Sequence, residues 1–133
     1  DSPQKSRTKK ILIVDDDPVI RETFRRGLER EKYLVHTAPD GFTAGLKVMQ
    51  EMPDMVLLDL FMDGIDGFEV CGTIKEDPDL KSIIVLVMTG HDTHENRTRV
   101  LSLGADGYLA KSAGFKMALK YINSFFSNKR GGK

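Results

Sequence analysis

The sequence contains four short apolar runs, each followed or ended by a polar side chain, with helical patterns between them. The runs cover residues 11–14, 55–58, 83–88 and 107–110. Continuous apolar runs of this length are typical of parallel strands that are buried on both faces. Because strand and helix patterns alternate about five times, the sequence predicts a parallel sheet with helices on both sides.

The helical segments are recognised by their start signals and by their apolar spacing. Pro18 suits the first position of a helix, and Asp17, or Asp16 with it, is expected to cap that helix. A second helix is predicted over residues 42–50, with Leu46 and Met49 facing inward. Two more are predicted over 68–76 and 93–103, and Gly104 suits the C-terminal cap of the latter. A fifth strand is predicted over 33–37. The clearest helical stripe comprises Phe115, Ala118, Leu119, Ile122, Phe125 and Phe126.

Length and charge limit the possible functions. The 133 residues carry 20 basic and 20 acidic side chains, so no net field favours nucleic acid or a membrane surface. Cys71 is the single cysteine and can form no internal disulfide, which favours a reducing compartment, expected to be the cytoplasm. We expect one domain over residues 9–127, with flexible tails over 1–8 and 128–133.

The polar residues at the predicted strand ends form a chemically coherent set. In an open α/β sheet, ligands bind beyond the carboxyl ends of the strands, so these residues are expected to converge. A carboxylate such as Asp59 can attack phosphorus, and Asp15 and Asp16 can hold Mg²⁺ as countercharge. Lys111 can pair with a phosphoryl oxygen, and Thr89 can donate a hydrogen bond to it.

Four stretches carry a resemblance to a known family. They are ILIVDDDP from residue 11, DMVLLDLFMDGIDG from 54, VMTG from 87 and GADGYLAK from 104. With these motifs in this order, residues 9–126 resemble the receiver domain of bacterial two-component response regulators. The resemblance implies a flavodoxin-like three-layer α/β/α sandwich, with a five-stranded parallel sheet of order 2-1-3-4-5 and five helices.

The resemblance also implies residue roles at the strand ends. Asp59 is expected to be the phosphoacceptor, with Mg²⁺ bound directly by Asp16 and through water by Asp15. The backbone carbonyl of Phe61 is expected to be a further metal ligand, and a bulky Phe61 side chain to hinder an attacking water. Lys111 is expected to pair with the phosphoryl group.

The same resemblance implies a conformational switch and its partners. Thr89 is expected to move toward the phosphoryl group, and Tyr108 to fill the space that it leaves. The face formed by the fourth helix, the last strand and the fifth helix then changes shape and docks an effector or a second copy. Arg97, Arg99, Lys116 and Lys120 are expected around it. The phosphoryl donor is a histidine kinase or phosphotransfer protein, which makes the chain a signalling phosphoacceptor rather than an enzyme.

Two residues depart from the family pattern. Asp63 stands where proline is usual after the phosphoacceptor. Ser112 stands where proline, joined by a cis bond, usually follows the lysine. A cis bond without proline costs about 3 kcal/mol. We therefore expect either a trans Lys111–Ser112 bond with a shifted loop or a strained cis bond.

Two other functions fit parts of the pattern. Asp15 and Asp17 have the Asp-x-Asp spacing of Mg²⁺-dependent aspartyl phosphatases of the haloacid dehalogenase type, in which Asp15 would be the nucleophile. The chain is short for that class, and no later acidic metal motif follows an apolar run in the form that this class uses. A receiver-like docking module that is never phosphorylated is the remaining alternative.

Overall fold

The fold is an alternating α/β sandwich, seen in a computed structural model that describes residues 7–62 and 64–131. Its elements in chain order are β1 (Lys10–Val14), α1 (Pro18–Arg30), β2 (Leu34–Ala38), α2 (Gly41–Glu51), β3 (Met55–Leu58), α3 (Gly67–Glu76), β4 (Ile84–Thr89), α4 (His94–Ser102), β5 (Gly107–Ala110) and α5 (Gly114–Gly131). The five strands are parallel and lie in the order β2-β1-β3-β4-β5. The predicted fold class is therefore confirmed.

The core consists of two apolar clusters, one on each face of the sheet, because successive strand residues face opposite sides. On one face, strand residues such as Leu12 and Val56 pack with α2, α3 and α4. On the other face, residues such as Ile13 and Leu57 pack with α1 and α5. Every residue of β3 is buried, as expected for a central strand that helices cover on both sides.

Side-chain caps fix the starts of four helices at the edge of the sheet where the strands end. Asp17 accepts a hydrogen bond from the Val19 N–H at 2.9 Å and caps α1, as predicted. Asp40, Asp66 and Thr93 cap α2, α3 and α4 in the same way. These caps satisfy backbone N–H groups that have no partner within the first turn of each helix.

The predicted orientation of α2 is wrong. Leu46 and Met49 were expected to face inward, but they are 49% and 65% exposed, while Ala44 and Val48 are buried. Ala44 and Val48 are four residues apart and so lie on one side of the helix, and these smaller side chains let α2 approach the sheet closely. The larger apolar side chains consequently face outward.

Helix α5 extends beyond the last residue of the predicted domain. It continues to Gly131, whereas the predicted domain ends at residue 127. The predicted tail over residues 1–8 lies largely outside the described residues, as do residues 132 and 133. The boundaries at residues 9 and 127 remain a prediction. Within the described part of the chain, no helix is both long and apolar enough to cross a membrane.

Candidate functional site

The carboxyl edge of β1 and β3 holds a cluster of aspartates. The Asp15 N–H donates to the Ala38 carbonyl at 3.1 Å, and the Asp59 N–H donates to the Val14 carbonyl at 3.0 Å. These bonds continue the sheet ladder by one residue and fix both backbones. Each of Asp15, Asp16 and Asp59 offers a carboxylate oxygen within 4.8 Å of the others. The convergence expected at this edge is therefore present.

The three carboxylates differ in exposure. Asp15 and Asp59 are 2% and 5% exposed, whereas Asp16 faces solvent. Asp15 is also engaged at both carboxylate oxygens, because Oδ1 accepts the Asp17 N–H at 2.9 Å and Oδ2 pairs with Lys111. Asp16 is thus the member of the cluster that is open to a ligand from solvent.

Lys111 supplies the positive charge of the site. It follows β5, and its Nζ lies 2.8 Å from Asp15 Oδ2 and 3.5 Å from Asp59 Oδ2. Burial acts to lower the pKa of Lys111, but the hydrogen bond and charge of Asp15, with the charge of Asp59, outweigh it and raise this pKa. The ammonium therefore stays charged and partly neutralises the two buried carboxylates.

The protonation of Asp59 reflects opposing effects. Burial, followed by the charge of Asp15, raises the pKa of this carboxyl. The Lys111 ammonium and a hydrogen bond from the Phe61 N–H act in the opposite direction without cancelling the rise. A cation bound by the carboxylates would favour the ionised form of Asp59, which is the form able to act as a nucleophile.

Thr89 and Lys111 approach the site from adjacent strands. Thr89 ends β4 and is fully buried, and its Oγ1 accepts a hydrogen bond from the His91 N–H at 3.0 Å. Its partner in the register with β5 is Ala110, the residue before Lys111. The Lys111 side chain also passes beside Gly90. The hydroxyl and the ammonium thus lie on neighbouring strand exits.

Tyr108 lies below the site, in β5. Its ring packs against the α2–α3–α4 cluster, and the Arg97 guanidinium lies 4.8 Å from the ring centroid. Burial raises the pKa of the Tyr108 hydroxyl, which makes no well-formed hydrogen bond within the described part of the chain. This side chain is therefore held by packing and by a cation–π contact rather than by its polar end.

The basic residues expected around the face of α4, β5 and α5 do not all lie on it. Arg97 contacts Tyr108, and Lys120 lines a surface groove with Tyr108 and Tyr121. Arg99 was expected here as well, and that prediction is wrong, since its guanidinium lies 3.9 Å from the Phe68 ring centroid beside α3. Two residues along a helix are separated by about 200°, so Arg97 and Arg99 face in opposite directions.

Aromatic side chains border the site. The rings of Phe61 and His91, from the loops after β3 and β4, meet edge to face at 4.7 Å between centroids. Phe61 also contacts Phe68, at 5.8 Å. Phe61 is 42% exposed, so it forms part of the outer rim. Asp63, the first departure from the family pattern, lies outside the described residues.

The loop after β5 follows one of the two alternatives expected for Ser112. Within the described residues every peptide bond is trans, including Lys111–Ser112. A short 3₁₀ turn over Lys111–Ala113 then leads into α5. Lys111 reaches both buried aspartates from this trans loop, so the missing proline does not prevent the ion pairs.

Arg21 is a site residue that the sequence did not reveal. Its guanidinium donates to the Asp15 backbone carbonyl at 2.7 Å and so holds the loop that carries Asp15 and Asp16. The sequence offered only a weak signal for this role of Arg21. A basic residue near the start of a helix is electrostatically unfavourable, which hints that it serves another purpose.

Comparison with known proteins agrees with this geometry. The sequence profile described as "Response regulator receiver domain" matches residues 11–123. This chain belongs to the response regulator receiver family. The receiver domain is 39% identical over 102 residues to Response regulator MprA of Mycobacterium ulcerans, an alignment that covers 77% of this chain and 43% of that protein.

Other relatives extend the comparison. Response regulator MprA of Mycobacterium leprae is 37% identical over 115 residues, which cover 86% of this chain and 50% of the relative. The receiver domain thus spans about half the length of these relatives. Among solved structures, a CheY-like receiver domain protein from Methanospirillum hungatei has a TM-score of 0.86 at 26% identity, with 96% of this chain and 100% of that chain covered.

A second solved structure is more similar in sequence. The signal receiver domain of a DNA-binding response regulator from Colwellia psychrerythraea has a TM-score of 0.84 at 35% identity, with 90% of this chain and 98% of that chain covered. The receiver domain is therefore part of a signalling system, and its acidic cluster fits a phosphoacceptor site. None of these comparisons supports the haloacid dehalogenase alternative.

Proposed function

We propose that Asp59 accepts a phosphoryl group from a phosphohistidine of a histidine kinase or phosphotransfer protein. In this step an Asp59 carboxylate oxygen forms a bond to phosphorus, and the bond between phosphorus and the donor imidazole nitrogen breaks. The observation that carries the proposal is the buried Asp59 carboxylate, which has an oxygen within 4.8 Å of two other carboxylates and lies 3.5 Å from the Lys111 ammonium. The chain then acts on itself only, by receiving and losing the phosphoryl group.

Mg²⁺ is the cofactor that suits this donor set. Hard cations prefer carboxylate and carbonyl oxygens and retain several waters. Asp16, being exposed, is suited to direct binding, whereas Asp15 already engages both oxygens and is suited to binding through water. Asp59 and the Phe61 carbonyl complete the proposed ligand set. When bound, the cation supplies countercharge for the anionic phosphoryl group.

The remaining site residues transmit the modification. Lys111 exchanges its contact with Asp15 for a phosphoryl oxygen, and the Thr89 hydroxyl leaves the His91 N–H to donate to the same group. Tyr108 then moves into the space beside Thr89, which alters its contact with Arg97 and reshapes the face of α4, β5 and α5. The groove lined by Tyr108, Met117 and Lys120 supports this face as the site for an effector or a second copy.

The proposed setting follows from this function. The histidine kinase takes its phosphate from ATP, so the receiver that it phosphorylates works in the cytoplasm. Its partners are proteins rather than nucleic acid or a membrane. We place the folding unit at residues 9–127. The relatives named as response regulators are about twice as long, so the output of the whole protein lies beyond this proposal.

Covalent labelling tests the proposal directly. The chain is treated with acetyl phosphate and Mg²⁺, reduced with borohydride, digested and mapped by mass spectrometry, and beryllofluoride binding is measured in parallel. Modification of Asp59 in the wild-type chain that disappears in Asp59→Asn supports Asp59 as the phosphoacceptor. Modification of Asp15 instead would identify an aspartyl phosphatase, and failure of both reagents would leave a docking module. Asp79→Asn, which removes an exposed aspartate beyond α3, is the control.

A further inference from the structure

Arg21 holds an unusual position for a basic residue. It lies in the first turn of α1, which carries no acidic side chain, and positive charge is unfavourable at a helix N-terminus. Within the described part of the chain it forms no ion pair. Its guanidinium instead donates to the Asp15 backbone carbonyl at 2.7 Å. The hydrogen bond, rather than charge neutralisation, is therefore what this residue contributes.

This bond acts on the peptide that joins Asp15 to Asp16. A peptide unit is planar and contains the carbonyl of its first residue together with the N–H and Cα of the second. Fixing the Asp15 carbonyl therefore fixes where the Asp16 N–H and Cα lie. Asp16 is exposed, so packing does little to hold it. Arg21 thereby orients the residue that the proposed function assigns to direct binding of Mg²⁺.

The two residues that flank Asp16 are anchored by other bonds. The Asp15 carboxylate pairs with Lys111 at 2.8 Å, and its Oδ1 accepts the Asp17 N–H at 2.9 Å. Neither bond involves the Asp15 carbonyl or Asp16 itself. A peptide plane between two held residues can still rotate as a unit. The Arg21 guanidinium is the group whose bond opposes that rotation.

Charge and geometry make opposite predictions for Arg21. A positive guanidinium repels a cation bound nearby, so loss of its charge would strengthen Mg²⁺ binding if charge dominated. Loss of the hydrogen bond would weaken binding, because residues that orient a metal ligand from outside typically contribute about 10–100-fold in metal affinity. Water and salt screen the repulsion at an exposed ligand such as Asp16, whereas the hydrogen bond is short and direct. Geometry should therefore dominate.

We propose that Arg21 is a positioning residue for the metal site. Its hydrogen bond to the Asp15 carbonyl holds Asp16 in the orientation that binds Mg²⁺, in spite of the repulsion between the guanidinium and the cation. The inference rests on the proposed phosphoacceptor function and adds to it a residue outside the aspartate cluster. Arg21 acts through the peptide before Asp16 and makes no contact with the phosphoryl group.

Two variants separate the charge of Arg21 from its hydrogen bond. Arg21→Met keeps an unbranched side chain but has neither charge nor donor, whereas Arg21→Lys keeps both. Mg²⁺ affinity is measured by titration followed by ¹⁵N–¹H NMR on the whole chain. We expect Arg21→Met to weaken Mg²⁺ binding about tenfold, and Arg21→Lys to remain within about threefold of wild type. Arg30→Gln, which removes an exposed charge from the last turn of α1, is the control and should leave the affinity unchanged.

The metal-free chain provides a second, spectroscopic readout. Loss of the donor in Arg21→Met should move the ¹³C resonance of the Asp15 carbonyl and the amide resonances of Asp16. Arg21→Lys should return both towards their wild-type positions, because the ammonium can donate to the same carbonyl. Arg30→Gln should move neither.

Phosphorylation by acetyl phosphate separates positioning from a general loss of structure. For Arg21→Met we expect the Mg²⁺ concentration that gives half the maximal rate to rise about tenfold, while the rate at saturating Mg²⁺ stays within about twofold of wild type. A general loss of structure would instead lower the saturating rate together with Tm and leave the half-saturating concentration unchanged. Thermal unfolding of each variant measures Tm.

Two kinds of result would overturn the proposal. Unchanged or tighter Mg²⁺ binding in Arg21→Met would reject the role of Arg21 alone, provided that the wild-type chain binds Mg²⁺ and Asp16→Asn does not. Absence of Mg²⁺ binding in the wild-type chain, or full affinity in Asp16→Asn, would reject the proposed metal site and the role of Arg21 with it.

Discussion

Asp59 combines two properties that conflict in a folded protein. It is buried beside Asp15, which raises its pKa, yet nucleophilic attack requires the ionised carboxylate. Lys111 offsets part of this cost, and a bound cation would offset more. The residue is thus placed for reactivity at the expense of stability, and substitutions at this position should separate the two.

Asp59→Asn is expected to stabilise the chain at neutral pH. Because the folded pKa is raised, the folded state holds the proton more tightly than the unfolded state, whose pKa is near 3.8. The stability from this group is therefore present below that unfolded pKa and is lost as pH rises through the folded pKa. Removing the charge should raise Tm at pH 7 by about 4 °C, which corresponds to roughly 1 kcal/mol.

This gain should shrink as pH falls towards the unfolded-state pKa, because the folded wild-type carboxyl takes up its proton at a higher pH than the unfolded one. Thermal unfolding by circular dichroism between pH 4 and 7, in the presence of a chelator, measures it. Asp79→Asn, which removes an exposed charge, is the control and should show no comparable gain. A variant that is less stable than wild type at pH 7 would contradict the account of Asp59.

Phe61→Asn is expected to shorten the lifetime of the phosphoryl group. The Phe61 ring packs against His91 and Phe68 at the rim, where it can hinder a water that approaches Asp59. A smaller polar side chain opens that path and can orient a water, so we expect loss of phosphate to accelerate about tenfold, or roughly 1.4 kcal/mol in the barrier. Decay of the phosphorylated chain is followed on Phos-tag gels.

The control for this variant is Phe42→Asn, which alters an exposed phenylalanine on α2, outside the aspartate cluster, and should leave the decay rate unchanged. If Phe61→Asn decays at the wild-type rate, the ring does not limit access of water.

At the scale of single elements, the strength of local signals decided which predictions succeeded. Asp17 before Pro18 specifies the start of α1 through a local hydrogen bond, and the predicted cap was found. The helix predicted over residues 93–103 was found at His94–Ser102. The orientation of α2 was missed because its apolar residues cover more than one side. Only the packing against β1 and β2 selects Ala44 and Val48 over Leu46 and Met49.

The candidate site shows the same contrast between residues that a local sequence pattern locates and contacts that depend on tertiary packing. Asp15, Asp59, Thr89 and Lys111 could be located because each stands at the end of an apolar run, and parallel strands end at one edge. The contact of Arg21 with the Asp15 carbonyl depends on how α1 folds back over its own loop, which no local pattern records. The direction of Arg99 towards Phe68 likewise follows from the placement of α3 beside α4.

Gly67→Ala is expected to disturb the junction between β3 and α3. A Cβ at this first residue of α3 would lie 2.2 Å from the Asp59 carbonyl oxygen and 2.6 Å from the Leu60 Cα. These are backbone atoms, so the helix must shift away from the loop that carries the site. We expect a loss of about 1–3 kcal/mol in the free energy of unfolding, measured by urea denaturation, together with slower phosphorylation by acetyl phosphate.

Gly72→Ala in the same helix is the matched control. A Cβ there meets only Leu103 Cδ2, at 3.8 Å, which is an ordinary contact. Higher helix propensity should stabilise this variant by up to about 1 kcal/mol, with phosphorylation unchanged. Equal stability of the two variants would show that the close approach at Gly67 is not a constraint.

At the scale of the whole molecule, the proposed phosphoacceptor site and the proposed switch face occupy different parts of the fold. The aspartate cluster lies at the carboxyl edge of the sheet, and the proposed switch face lies at β5 with α4 and α5. Tyr108 and Val48 of α2 both pack in the cluster on one face of the sheet. A change at Tyr108 thus has a packed route towards α2, whereas α1 and α5 pack in the other cluster.

Binding of a cation to the folded state should raise the stability of the entire domain. The aspartate cluster exists only when β1 and β3 are paired, so Mg²⁺ binds the folded chain in preference to the unfolded one. At a concentration ten times the dissociation constant, this linkage contributes about 1.4 kcal/mol. We therefore expect Tm, measured by differential scanning calorimetry, to rise with Mg²⁺ and to approach a logarithmic dependence on its concentration.

Asp16→Asn separates this effect from general screening by salt. Asp16 is exposed, so its loss should leave the fold intact while removing the proposed direct ligand, and the Mg²⁺-dependent rise in Tm should largely disappear. Asp79→Asn should retain the full rise, and NaCl at equal ionic strength should produce a smaller one in every variant. An undiminished response in Asp16→Asn would mean that the cation stabilises the domain from another site, because linkage requires binding to the residues that folding assembles.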